Sequence, residues 1–191
     1  IQKARPHVTL KLAISSDGQS AISGSFDSTA IRWSLTRNAA EQVLRFHADA
    51  VNAVVLLSPT RAATAGADGR IAIWTLGKTE PDAVLEGHTA PIAALAASPD
   101  GATLASASWD HTVRLWPLAG GAPRVLDGHT QNVNGVAFTA DGRVSGSTGC
   151  NQFSGAYQAT ADTITFGQIG MTKKACTGGV DTLEMAVTVL F

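Results

Sequence analysis

The stretch VLEGHTAPIAALAASPDGATLASASWDHTVRLW (84–116) decides the fold because it consists of short apolar runs separated by turn residues. Residues 91–108 predict two strands joined by a Pro-Asp-Gly turn. HTVRLW (111–116) alternates apolar and polar residues, as a strand does when its two faces lie in different environments. A helix is the competing interpretation of the alanine-rich part, but the flanking Pro91 and Pro99 favour strands. We therefore predict an all-β fold.

The same unit recurs along the chain. Trp33, Trp74 and Trp116 are separated by 41 and 42 residues. Three other residue types recur in the same phase. An Asp lies six residues before each Trp, a Ser or Thr lies four residues before that Asp, and a His returns at intervals of 41 residues. They are Asp27, Asp68 and Asp110; Ser23, Thr64 and Ser106; and His47, His88 and His129. A period of about 40–45 residues is that of a four-stranded propeller blade. The repeat predicts a partial β-propeller of three to four blades.

These residues resemble the WD40 repeat family over about residues 8–143. The Gly-His pair, the second-strand Ser or Thr, the turn Asp and the third-strand Trp stand where that family has them, although no Asp follows the Trp. The resemblance implies structural hydrogen-bonded tetrads in two successive blades: His47, Thr64, Asp68 and Trp74, then His88, Ser106, Asp110 and Trp116. A metal or acid–base site is the alternative, but one residue set per blade builds repeated networks and not one pocket.

The repeat loses its pattern in ADGRVSGSTGCNQFSGAY (140–157). A degenerate fourth blade would place Asn151 and Tyr157 where Asp and Trp are due. We favour another interpretation, because RVSGSTGCNQFSGAY (143–157) and DTITFGQIGMTKKAC (162–176) together resemble the META domain family, the HslJ-like bacterial group.

We therefore predict WD40 repeats over 1–142, an incomplete propeller, followed by a partial, β-rich META-like segment over 143–191. Its two cysteines, Cys150 and Cys176, fit no metal or redox spacing, and form either a disulfide or two reduced thiols. At the end of the chain, LEMAVTVLF (183–191) has apolar residues at every second position, which predicts a strand. A short helix beginning near Asp181 is the alternative.

Composition and motifs exclude several functions. The 191 residues include 14 basic and 15 acidic side chains, and no basic tract attracts nucleic acid. No apolar run is long enough to span a membrane. No P-loop, GxSxG or HExxH motif is present, so we predict no enzyme, no catalytic residue, no metal and no cofactor.

The leading functional hypothesis is a non-catalytic protein–protein interaction scaffold. Trp109, beside a turn Asp, is a candidate partner contact, although packing against a neighbouring blade is the alternative. The weaker match of TAIRW (29–33) predicts an incomplete or frayed first blade. Because three blades and a fraction cannot close a ring, we expect an oligomer or part of a larger propeller.

The META resemblance carries a second set of expectations. It implies a bacterial protein, with a location in the periplasm or cell envelope favoured over the cytoplasm. It also supplies the alternative function, that of an envelope-stress or resistance-associated protein.

Overall fold

A computed structural model describes the backbone over five stretches of the chain: 9–138, 143–147, 152–159, 164–171 and 187–189. Side chains are described for residues 11–138. Within these stretches every regular element is a β-strand, so the predicted all-β fold is confirmed. The chain divides into two compact units, Ile1–Leu95 and Ala96–Phe191.

The first unit contains two four-stranded antiparallel sheets, each with its strands in chain order. The first sheet consists of β1 (Thr9–Ile14), β2 (Ser20–Ser25), β3 (Thr29–Ser34) and β4 (Ala39–Arg45). The second consists of β5 (Val51–Ser58), β6 (Arg61–Gly66), β7 (Ile71–Thr75) and β8 (Ala83–Leu85). Such sheets are propeller blades. The expectation of an incomplete or frayed first blade is wrong in strand number, because β1–β4 all form.

The third sheet is also in chain order, and its first strand contains the boundary between the two units. It consists of β9 (Ile92–Ala97), β10 (Thr103–Ser108), β11 (Val113–Pro117) and β12 (Arg124–Leu126). The turns before its second and third strands place Gly101 and His111 at φ +70°, a conformation that favours glycine.

The fourth sheet has a different strand order. It consists of β13 (Arg143–Ser147), β14 (Gln152–Ala159), β15 (Ile164–Met171) and β16 (Val187–Val189). The order is β15-β14-β13-β16, so the last strand pairs with β13 and not with its neighbour in sequence. The predicted alternation near the end of the chain therefore coincides with a strand, while Asp181 lies outside the described residues.

Small residues fill the second strand of each of the first three sheets. β2, β6 and β10 are buried at every position after the first. β6 reads RAATAG, and two of its alanines, Ala62 and Ala63, are fully buried. Successive side chains of a strand point to opposite faces. Burial of consecutive positions therefore means that both faces of these strands are covered, which favours small side chains.

The core of the first unit lies between its two sheets. Its buried side chains are Ile22, Ala30, Leu44, Val51, Val54, Ala62, Ala72 and Trp74. The first three come from the first sheet and the other five from the second. Gly24 shows how closely the sheets approach, because a Cβ on it would lie 2.7 Å from the carbonyl oxygen of Val51.

Gly24→Ala should destabilise the protein by about 1–3 kcal/mol, the usual cost of adding atoms to a packed core. The added Cβ would also lie 2.9 Å from Cγ1 of Val51, and the backbone oxygen cannot rotate away. Urea denaturation followed by tryptophan fluorescence measures the change. Ser16→Ala, at an exposed position, is the control. A Gly24→Ala variant as stable as that control would contradict the close approach of the sheets.

Candidate functional site

A chain of hydrogen bonds joins four side chains of the second blade. His47 precedes β5, Thr64 lies in β6, Asp68 lies in the turn after β6, and Trp74 lies in β7. The imidazole Nδ1 of His47 is 3.0 Å from Oδ2 of Asp68, and Nε2 is 2.8 Å from Oγ1 of Thr64. The indole Nε1 of Trp74 donates to the same Thr64 hydroxyl at 3.0 Å. The structure thus brings together all four members of the first predicted set.

The direction of each hydrogen bond follows from the chemistry of the partners. An ionised carboxylate only accepts, so Nδ1 of His47 carries the hydrogen that is donated to Asp68. The neutral imidazole then has an acceptor at Nε2, to which the Thr64 hydroxyl can donate while accepting from Trp74. This tautomer gives each of the four side chains of the network its hydrogen-bond partners, which is what burial of Trp74 and Thr64 at 0% and 1% exposure requires.

The turn after β6 holds Asp68 in place. Its carboxylate also accepts hydrogen bonds from the backbone N–H groups of Ala48 and Arg70. Gly66 is necessary beside it, because a Cβ there would lie 2.8 Å from Oδ1 of Asp68 and 2.9 Å from Nδ1 of His47. Gly69 follows with φ +76°, a conformation that glycine adopts without strain.

The Asp68 carboxyl is acidified by its surroundings. Burial by itself raises the pKa, but the hydrogen bond from His47, its charge when the ring is protonated, and the amides of Arg70 and Ala48 outweigh it. The pKa therefore lies below the ordinary value of 3.8. The carboxylate stays ionised at neutral pH and keeps the His47 ring in one orientation.

Parts of the same arrangement recur in the other blades. In the third blade Nε1 of Trp116 donates to Oγ of Ser106 at 2.8 Å. Asp110 accepts from the backbone N–H and the hydroxyl of Thr112 at 3.0 and 2.7 Å, and so stabilises its turn. His88, the remaining member of the second predicted set, is buried.

The first blade repeats the indole–hydroxyl contact, since Nε1 of Trp33 donates to Oγ of Ser23 at 2.8 Å. Trp33 is only partly buried, unlike Trp74 and Trp116. The contact between the third-strand Trp and the second-strand hydroxyl is therefore present in all three blades.

Trp109 lies in the turn after β10 and is 45% exposed. Its indole Nε1 donates to Oδ1 of Asn134 at 2.8 Å, so the ring is oriented while one side stays accessible to solvent. Phe26, which directly precedes Asp27, holds the same position in the first blade and is 57% exposed. Sequence analysis missed Phe26, although the phase of the repeat could have found it.

Other predicted residues and features complete this description. Cys150 and Cys176 lie outside the described residues, so their pairing stays a prediction. Among the described residues no group of three or more His, Cys, Asp or Glu side chains could hold a metal ion. Within the same part of the chain no helix is long and apolar enough to cross a membrane.

Comparison with known proteins identifies the class. Residues 79–117 match the family model for the WD domain, G-beta repeat, and residues 103–191 match the model for the META domain. Both resemblances are confirmed: one part of the chain is similar to the WD domain, G-beta repeat, and an overlapping part is similar to the META domain. The two matches share residues 103–117, and the predicted boundary between 142 and 143 stays a prediction.

Individual relatives match parts of the chain. Coronin-7 of Bos taurus is 43% identical over 94 residues, which are 44% of this chain and 10% of coronin-7. Ribosome biogenesis protein YTM1 of Scheffersomyces stipitis is 32% identical over 133 residues, which are 61% of this chain and 27% of that protein. The chain thus spans a small part of these relatives.

The crystal structure of the RRP9 WD40 repeats superposes with a TM-score of 0.61 at 23% identity, over 75% of this chain and 42% of that one. At this identity the likeness concerns the fold, and it confirms the propeller architecture. WD40 relatives of this kind indicate a protein-interaction scaffold, and the META alternative is not better supported.

Two expectations drawn from the META resemblance are wrong. The relatives come from an animal and a yeast, which contradicts a bacterial origin. A location in the periplasm or cell envelope is contradicted as well, because one relative is named for ribosome biogenesis, which does not take place there. Both expectations came from the resemblance at the end of the chain.

Thr64→Val should cost at least about 2 kcal/mol of stability. The variant keeps the shape but removes the hydroxyl, and each buried polar group left without a partner costs about 1–3 kcal/mol. Denaturation by urea measures the loss. Ser23→Ala is the matched control and should cost less, because water can reach the partly buried Trp33. Equal losses would contradict the role assigned to the second-blade chain.

Stability should fall in acid through Asp68. Its pKa is lower in the folded state than the unfolded value of 3.8, so the unfolded chain binds more protons as the pH falls through this range. The stabilisation is complete well above pH 3.8 and is lost as the pH falls through the folded-state pKa. Urea denaturation at several pH values between about 2.5 and 6 gives the free energy of unfolding as a function of pH. This free energy should change less with pH in Asp68→Asn than in the wild type. If the free energy of unfolding has the same pH dependence in the wild type and in Asp68→Asn, Asp68 does not contribute to the loss of stability in acid.

Proposed function

We propose that this chain is a non-catalytic protein-interaction scaffold whose partner binds at the turns between the second and third strands of the blades, with Trp109 as a principal contact. The observation that carries the proposal is the 45% exposure of a tryptophan whose ring is oriented by Asn134. Exposed, oriented aromatic side chains lose little conformational entropy on binding and are enriched at hot spots of protein interfaces.

The polar groups of the second blade support a structural and not a catalytic role. His47 has hydrogen-bond partners at both ring nitrogens and is 8% exposed, so its imidazole cannot exchange a proton with a substrate without breaking the network. Asp68 likewise accepts from His47 and from two backbone amides. These groups hold turns in position for contacts made by neighbouring side chains.

The proposed partner is a protein. A net charge of -1 gives no general attraction to phosphate groups, and this argues against nucleic acid as the partner. Phe26 provides a second exposed aromatic residue at the equivalent position of the first blade. Aromatic side chains beside polar turn residues are typical of protein-binding surfaces.

Trp109→Ala should reduce partner binding by about 30-fold, since loss of a hot-spot residue costs about 2 kcal/mol or more. The partner is first captured from eukaryotic cell extract by the full chain, identified and purified. Its affinity for each variant is then measured by calorimetry. Trp109→Phe keeps a ring but loses the hydrogen bond to Asn134, and it separates ring contact from ring orientation.

Val125→Ala is the matched control, because Val125 is 43% exposed in β12 of the same sheet. We expect this variant to bind as the wild type does. We also expect Trp109→Ala to keep the melting temperature of the wild type. If Trp109→Ala unfolds or aggregates, the tryptophan is a packing residue, and the proposed contact is wrong.

A further inference from the structure

The segment that follows the third sheet contains an Asn-Gly pair, Asn134-Gly135. Residues 132–138 have no regular secondary structure, and Asn134 is exposed. Because glycine has no Cβ, its backbone nitrogen is less crowded than that of a residue with a side chain. This nitrogen lies within reach of the side-chain amide of the preceding Asn, so the pair is open to a reaction between the Asn134 side chain and the backbone.

The chain is held on one side of Asn134 and not on the other. The backbone N–H of Val133 donates to the carbonyl oxygen of Ser108 at 3.1 Å, and Val133 is 2% exposed. Within the described residues, no backbone hydrogen bond is donated by the N–H of Gly135. The nitrogen that would attack the Asn134 side chain is therefore not engaged in strand pairing, while Val133 fixes the chain beside it.

The contact with Trp109 orients the Asn134 amide. An indole N–H only donates, so the atom that accepts from Nε1 of Trp109 at 2.8 Å is the amide oxygen, Oδ1. A donor at this oxygen stabilises the negative charge that develops there when a nucleophile adds to Cγ. The hydrogen bond that orients the tryptophan therefore also favours addition at Cγ of Asn134.

We propose that Asn134-Gly135 is a site of spontaneous deamidation, which converts the residue that orients Trp109 into an acidic one. The backbone nitrogen of Gly135 bonds to Cγ of Asn134, the Cγ–Nδ2 bond breaks, and ammonia leaves with the proton of the Gly135 amide. The product is a cyclic succinimide. Water then adds to one of its two carbonyl carbons, and the bond from that carbon to the nitrogen breaks. Opening at Cγ gives Asp, whereas opening at the backbone carbonyl gives isoAsp, in which the main chain runs through Cγ.

The two products act differently on Trp109. Asp keeps an oxygen in place for the indole N–H and adds one negative charge to a chain whose net charge is -1. IsoAsp also adds the charge, but it lengthens the main chain by one carbon and shortens the side chain, so the acceptor is withdrawn from the indole. The orientation of this exposed tryptophan therefore changes as the protein ages. The effect on partner binding rests on the proposed function, whereas the reaction does not.

Mass spectrometry of the folded, full chain tests the reaction. The protein is incubated at neutral pH in water enriched in heavy oxygen, which enters the new carboxylate, and its peptides are then analysed. Asn132 is the matched internal control, because it is also exposed but is followed by Val133. We expect Asn134 to take up heavy oxygen at least about tenfold faster than Asn132, because branching at Cβ crowds the attacking nitrogen. Fragmentation by electron transfer should reveal both Asp and isoAsp.

The indole N–H signals of the four tryptophans in the NMR spectrum give a local readout. The Trp109 signal is assigned by its loss in Trp109→Phe. A second Trp109 signal should appear in aged protein, and Asn134→Asp identifies the part of the change that the normal backbone produces. The signal of Trp74, whose indole donates to Thr64, should stay unchanged and is the control.

Gly135→Ala should slow the reaction at Asn134 by about tenfold, because the added methyl group crowds the attacking nitrogen. Alanine suits the backbone there, since the described residues with positive φ do not include Gly135. If Gly135→Ala lowers the melting temperature, Asn134→Gln takes its place, because the longer side chain cannot form the five-membered ring.

Three results would overturn the inference. The first is equal uptake of heavy oxygen at Asn134 and Asn132 in the folded protein. The second is a Gly135→Ala variant that has the melting temperature of the wild type and reacts as fast as the wild type does. The third is a second Trp109 signal that appears as fast in Asn134→Gln as in the wild type. None of these results bears on whether a partner binds at Trp109, so the proposed function is tested separately.

Discussion

The hydroxyl of Thr64 is the group on which the second blade depends. It joins the indole of Trp74 to the imidazole of His47, and the imidazole continues the chain to the carboxylate of Asp68. Those four residues come from two strands, a turn and the segment before β5, which would otherwise be held by backbone pairing and apolar contact alone. Because this hydrogen-bond network is buried, each of its members needs the others. A donor or acceptor without its partner would carry the full cost of desolvation.

Close approach of the sheets is the second constraint. The third strand carries large side chains such as Trp74, whereas the second strand carries small ones, as in RAATAG (61–66). Gly24 and Gly66 lie where a methyl group would meet a backbone oxygen or a network side chain. The first unit therefore combines a polar network within a blade with an apolar interface between blades, and Trp74 takes part in both.

This arrangement is the reason why the proposed binding function rests on exposed side chains at the surface. His47 and Asp68 are engaged in the hydrogen-bond network, whereas the exposed aromatic residues Trp109 and Phe26 lie next to the turn Asp of their blades. The META-type segment adds a sheet with another strand order. The inferences of origin and location that rested on this segment were wrong, because a family resemblance of one segment does not constrain the organism or compartment of the whole chain.

The amino-acid sequence alone determined the strands, their period and the residues that recur in phase. Such features are local: turn residues, alternation and a spacing of about 41 residues can be read without knowing any contact. Only the tertiary structure decided which apolar strand residues are covered, that Asn134 orients Trp109, and that Gly66 is required beside His47. Leu12 and Val54 are both apolar strand residues of matching register, and they differ in exposure because a second sheet lies against one and not the other. Burial of a face depends on what is packed on it, and this information is absent from the pattern of the face itself.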